Sequence, residues 1–195
     1  MLNSTDRTRR HRRATAGLAL ALVAAAVAVG SGADFSARTA NPENTFTAGA
    51  LSMSNSRDGS AIFNVANLVP GAPGASGIVD IGNTGSIRGR FSLSRGRLST
   101  TDKGDPSPAP LDTKVGLKVS DCGTFDGANA PSCGVNAKVV YGGGTLASMT
   151  QAIPLGTFAP GEKHRYEFEA TLDSSAGNEY AGDMSSAEFV WDAVQ

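Results

Sequence analysis

Two histidines and two cysteines carry most of the reactive chemistry available to this 195-residue chain. His11 lies in an arginine-rich start, so His164 is the single imidazole of everything that follows. It comes just after the turn sequence Ala159-Pro160-Gly161-Glu162-Lys163 and is followed by Arg165. A histidine in that position is expected to be a solvated turn residue. Acyl transfer built on it would need a serine nucleophile, and no G-x-S-x-G elbow supplies one. Zinc hydrolysis would need two histidines at helical spacing with a glutamate, and no H-E-x-x-H segment exists.

The cysteines, Cys122 and Cys133, enclose GTFDGANAPS. An even count this close together, in a chain that leaves the cytoplasm, favours one disulfide closing a small loop. A metal site is the alternative, but no histidine lies within reach in sequence. Asp102, Asp105, Asp121 and Asp126 offer oxygen ligands of the kind calcium favours. Their spacing matches no known loop, so solvated turn carboxylates are the expected reading. Arg88, Arg90, Arg95 and Arg97 form a local basic stripe, expected to decorate the wet face of a strand; acidic polymers or a neighbouring subunit's carboxylates are the alternative partners. Gly142-Gly143-Gly144-Thr145 lacks the lysine of a phosphate loop and reads as a hairpin turn. No catalytic, cofactor-binding or metal-binding residue is assigned.

What positions these residues begins with an export segment. Arg7, Arg9, Arg10, Arg12 and Arg13 precede an apolar run from Ala14 to Val29, and small residues follow. This is the layout of a signal peptide, residues 1–33, with cleavage expected before Asp34. The run is shorter than the roughly 20 residues that span a bilayer, although an uncleaved anchor is the alternative. Removing residues 1–33 takes away five arginines and Asp6, which turns 17 basic and 18 acidic residues into 12 and 17, a net charge of −5. That balance argues against nucleic acid, which leaves a basic footprint. The expected product is secreted, without a stable membrane span, after a signal peptidase has acted.

The remainder reads as strands. Val115, Leu117 and Val119 alternate with Lys114, Gly116 and Lys118; Tyr166, Phe168, Ala170 and Leu172 alternate with charged or polar neighbours; Phe91 and Leu93, and Phe189 and Trp191, do the same. Period-2 patterning with one wet face belongs to antiparallel sheets. Further strands are expected at 61–69, 76–82, 136–141 and 144–149, separated by Pro-Gly and Gly-rich turns. Residues 99–112 are proline-rich and polar, as a surface loop would be. Nine or so short strands predict an all-β, two-sheet antiparallel β-sandwich of jelly-roll type. The organisation expected is residues 1–33 as signal, 34–44 as a spacer, and 45–195 as one domain.

The first strand is expected in ENTFTAGALSMS, residues 43–54. Phe46 and Ala48 share one parity and Leu51 and Met53 the other, so Gly49 is expected to be the extra residue of a β-bulge.

The blocks NTFTAGALSMS, NLVPG, IGNTGS and the terminal EFVWDAVQ, after a signal peptide and a short spacer, resemble the TasA/camelysin (CalY) family of secreted proteins in an actinobacterial version. The likeness covers residues 33–94 and 162–195. It implies a jelly-roll domain exported with a dedicated signal peptidase of the SipW type, and a fibre subunit of the biofilm matrix or cell surface that associates with other copies. It also implies a donor strand, here Asp34, Phe35, Ser36, Ala37, Arg38, Thr39, Ala40 and Asn41, running on to about Asn44, that would complete a sheet of the next subunit. Pro42 would limit ladder pairing near its end. The family's metalloprotease label finds no ligand motif here. A non-enzymatic structural protein is therefore expected, with a camelysin-like peptidase or a non-polymerising adhesive sandwich as alternatives.

Overall fold

The computed structural model describes residues 48–103, 109–126, 129–134 and 136–195. The signal peptide, the spacer with its donor strand, Phe46 and Asp105 lie outside the described residues. Alternation becomes eight strands: β1 Met53–Asn55, β2 Ala75–Asn83, β3 Gly89–Thr101, β4 Val115–Phe125, β5 Lys138–Thr145, β6 Ile153–Phe158, β7 Lys163–Leu172 and β8 Met184–Val194. They form a five-stranded sheet in the order β1-β2-β7-β4-β5 and a three-stranded sheet in the order β6-β3-β8, with every pairing antiparallel. This is the two-sheet antiparallel sandwich that the patterning predicts. The chain changes sheets at most connections, so strands distant in sequence become neighbours.

The core takes the parity that the alternation assigned. Val79 and Ile81 from β2, Phe91 and Leu93 from β3, Val119 from β4, and Tyr166 and Phe168 from β7 are all buried. Each large apolar side chain of this kind stabilises by about 1.5–3 kcal/mol when fully removed from water. Aromatic rings bridge the two sheets: Phe168 meets Phe189 at 4.7 Å between centroids, and Tyr166 meets Trp191 at 5.1 Å.

Several expected elements differ. Residues 61–69 form no strand. Ile62 and Phe63 instead pack into the core, opposite Gly77, where an added Cβ would lie 2.8 Å from the Phe63 Cβ. Gly77 has the core-facing parity of β2 but no side chain, and the loop fills the gap. The triple glycine is no hairpin turn either. It lies inside β5, where Leu117 pairs with Gly144 and Val119 with Tyr141, so β5 carries an extra residue, and Gly143 takes a φ of 73°. Residues 146–149 are then a turn that drops Leu146 and Met149 into the core. Strand β6 has no alternation to announce it, because Pro154 and Gly156 interrupt it. Proline is tolerated there because β6 is an edge strand. Of the expected loop 99–112, the first three residues extend β3 and Leu111–Thr113 make a single 3-10 turn.

Gly49 lies in no strand among the described residues. The ladder begins four residues later with Met53 opposite Asn83 and runs without a slip to Asn55 opposite Ile81. Gly49 serves close approach instead, since a Cβ there would collide with the Ile87 side chain. Main-chain bonds from Thr84 to Ser52 (3.0 Å) and from Ser86 to Ala50 (2.8 Å) hold this entry segment beside the β2–β3 connection.

Candidate functional site

His164 occupies the second position of β7 and faces inward, at the mouth of the sandwich rather than on a solvated turn. Its side chain is 13% exposed. The ring stacks on Phe158 of β6 at 4.2 Å and 17°, and Phe158 stacks in turn on Phe91 of β3 at 4.2 Å and 8°. Nδ1 lies 2.9 Å from Asp121 Oδ2 on β4, and Nε2 lies 3.2 Å from Glu162 Oε1 in the turn before β7. Asp121 is thus no solvated carboxylate; its other oxygen accepts the Gly123 N–H at 2.9 Å.

Electrostatics follow from this geometry. Burial works against a charge on His164, but the bonds and fields of Asp121 and Glu162 outweigh it and raise its pKa above the usual 6.5. Burial likewise opposes ionisation of Asp121, yet the His164 bond and the Gly123 amide bring its pKa below the ordinary 3.8. Tyr166, the next inward residue of β7, is pushed far up, first by burial and then by the two carboxylates. Its hydroxyl is buried without a protein partner. Once protonated, the ring donates to both carboxylates. Neither ring nitrogen is left to take a proton from a nucleophile, because each already points at an acid.

The turn that carries Glu162 is itself anchored. Glu162 Oε2 accepts the Ala159 N–H at 2.6 Å. Asn83, at the end of β2 and 1% exposed, binds the turn through its backbone: its N–H donates to Glu162 O at 2.9 Å, and its carbonyl accepts the Gly161 N–H at 2.8 Å. The Asn83 amide donates to Ile87 O (2.8 Å) and Phe158 O (3.1 Å), while Oδ1 accepts the Gly85 N–H (2.9 Å). One buried residue, through side chain and backbone together, therefore ties the end of β2, the connection to β3, the end of β6 and the β6–β7 turn. Sequence reasoning missed Asn83, Glu162 and Phe158. The only local hints were an asparagine between a strand and Thr-Gly, and an acid two residues before the histidine.

Cys122 and Cys133 are joined in a disulfide, with Cα atoms 4.7 Å apart. Of the basic stripe, Arg88, Arg90 and Arg97 are exposed. Arg95 leaves it, since its Nε donates to Met149 O at 3.1 Å. Arg95 has the inward parity of Phe91 and Leu93, and a bulge at Gly96–Arg97 then shifts the β3–β8 register between Arg95 and Leu98, which restores Leu98 to the core side. On the outer face of the large sheet, Arg165 grips Asp80 through two bonds of 2.7 and 2.9 Å. A groove of about 590 Å³ crosses the same face over Gly116 and Gly144. Its charged groups are already engaged, Lys118 with Glu169 and Lys114 with Ser175. Among the described residues, no group of three or more His, Cys, Asp or Glu side chains is placed to hold a metal ion. No helix among them is long and apolar enough to cross a membrane.

Compared with known proteins, the chain matches no protein-family model and no curated protein.

Proposed function

We propose that this is an exported, non-enzymatic structural protein of the cell surface or biofilm matrix, which assembles with other copies of itself by strand addition. The observation that carries the reading is the edge formed by β8. This strand runs 11 residues, from Met184 to Val194, and among the described residues it pairs only with β3. An edge of that length presents a row of main-chain donors and acceptors on its outer side, a template for another strand. Of the usual protections of such an edge, MSSAEFVWDAV has no proline, and its charges are two exposed acids, Glu188 and Asp192. Residues 34–44 are the donor that the resemblance to the TasA/camelysin family assigns to such an edge.

The engagement of both His164 nitrogens by carboxylates supports the non-enzymatic side of the reading, and no observation favours the peptidase alternative. Electron microscopy of the secreted protein, before and after concentration, is the test. Filaments should form from the full chain and be lost when residues 34–44 are deleted, with the circular dichroism of the sandwich retained. Filaments that persist after the deletion would overturn the donor assignment. A full chain that stays monomeric at every concentration would overturn assembly itself.

A further inference from the structure

We infer that the Cys122–Cys133 disulfide and the Asp121–His164–Glu162 ion triad act as one clasp, in which the cystine holds Asp121 against the imidazole. The register of β4 against β7 carries this. Asp121 pairs with Tyr166 and the next pair is Gly123 with Arg165, so Cys122 is the extra residue of a β-bulge. Such a residue has no ladder partner of its own, and its position rests on other restraints. Here those restraints are three. Gly123 takes a φ of 114°, which glycine adopts without strain. Its N–H donates to Asp121 Oδ1. The bulged residue itself is tethered covalently to Cys133.

The bulge decides how the carboxylate is held. Asp121 lies across from Tyr166, and Thr124 lies across from His164. Asp121 therefore reaches His164 on the diagonal of the ladder, and the slip at Cys122 sets the Gly123 N–H against its other oxygen, which aims the carboxylate. Releasing Cys122 loosens the bulge, and with it the Gly123 bond that aims the Asp121 carboxylate at the ring. The titratable and charged groups that face His164 are few. They are Asp121 from β4, Glu162 from the preceding turn and the Tyr166 hydroxyl from β7; β6 presents only the Phe158 ring. Lys138, at the start of β5, acts on Asp121 from beside it. Of the two carboxylates, Asp121 is the one whose placement depends on the cystine, because Glu162 is held by its own turn and by Asn83.

Redox state and protonation are then linked. Reduction by an external dithiol breaks the S–S bond and delivers two electrons and two protons to give two thiols, while the dithiol closes to its own disulfide. If that costs the Asp121–His164 bond, protonation of His164 must favour the oxidised form by the same factor, since coupling between two sites is reciprocal. The clasp is closed when the protein is oxidised and the imidazole charged. It is loosest when the protein is reduced and the imidazole neutral.

The test is a proton NMR titration of the His164 ring in the full chain, oxidised and after dithiothreitol, with His164→Gln identifying its resonance beside that of His11. The oxidised protein should titrate above 6.5, and the reduced protein about one pH unit lower, with the sandwich's circular dichroism unchanged. Equal titration in two folded states overturns the clasp. So does unfolding of the reduced chain, because the cystine would then hold the whole sandwich rather than this end of β4. Gly123→Ala in the oxidised protein strains the bulge and leaves the cystine in place. His164 should again titrate lower, and an unchanged midpoint there overturns the role given to the bulge.

Discussion

The side-chain amide of Asn83 donates to the carbonyl of Phe158, 75 residues further along the chain, at 3.1 Å and out of contact with water. That bond joins the last residue of β2 to the last residue of β6, and so links the two sheets at the end where His164 sits. Replacing Asn83 with Ala leaves two carbonyls and one N–H without their partner. The loss should be about 3 kcal/mol, read as a lower urea midpoint with an unchanged slope. Asn83→Asp should cost more at neutral pH, where a carboxylate would face the two carbonyls. A variant within about 0.5 kcal/mol of wild type would mean that water replaces the amide.

Stability should depend on pH at both ends of the imidazolium bridge. The folded-state pKa of His164 is raised, so its contribution is fully present below 6.5 and disappears as pH rises through the folded value. The pKa of Asp121 is lowered, so its contribution is present above 3.8 and disappears as pH falls through the folded value. Thermal melts of wild type and His164→Gln across this range should diverge most between those limits and converge on the alkaline side. Parallel curves throughout would assign the bridge no role in stability.

Gly77 can be tested by filling it. Gly77→Leu puts a side chain where Ile62 and Phe63 now lie, and should cost about 1–3 kcal/mol through overpacking. The displaced loop between β1 and β2 should also become a site of limited proteolysis. A protected loop in the variant would show that the core yields elsewhere.

The disulfide closes a short loop, and replacing both cysteines with Ser should lower stability by about 2–3 kcal/mol on the loop-entropy model. The core contributes far more, so the double variant should remain folded at room temperature. Mass spectrometry of the non-reduced peptide and denaturant melts of both forms provide the check.

The clearest part of the fold to read in advance was the alternation in β3, β4, β7 and β8. Apolar residues at every second position bury one face, and burial is the largest stabilising contribution. Where the pattern was broken, reading failed for identifiable reasons. Pro154 and Gly156 hid β6, because an edge strand needs neither full pairing nor a two-sided pattern. Ile62 and Phe63 resembled a strand because they are apolar, although what buries them is the absence of a side chain at Gly77. Gly49 suggested a bulge, while among the described residues the slips lie at Cys122, at Gly96–Arg97, at Leu155 and at two places in β5.

By itself, then, the sequence determined an all-β chain with two sheets, one inward face per strand, and a pair of cysteines close enough to join. Such properties follow from residue type and local spacing. Only the tertiary structure decided that a turn histidine would become an imidazolium between two acids. Asp121 and His164 are 43 residues apart, and what brings them together is the register of β4 against β7, which sets Asp121 opposite Tyr166. No local pattern encodes such a register, because its energy lies in the pairing of one strand with another.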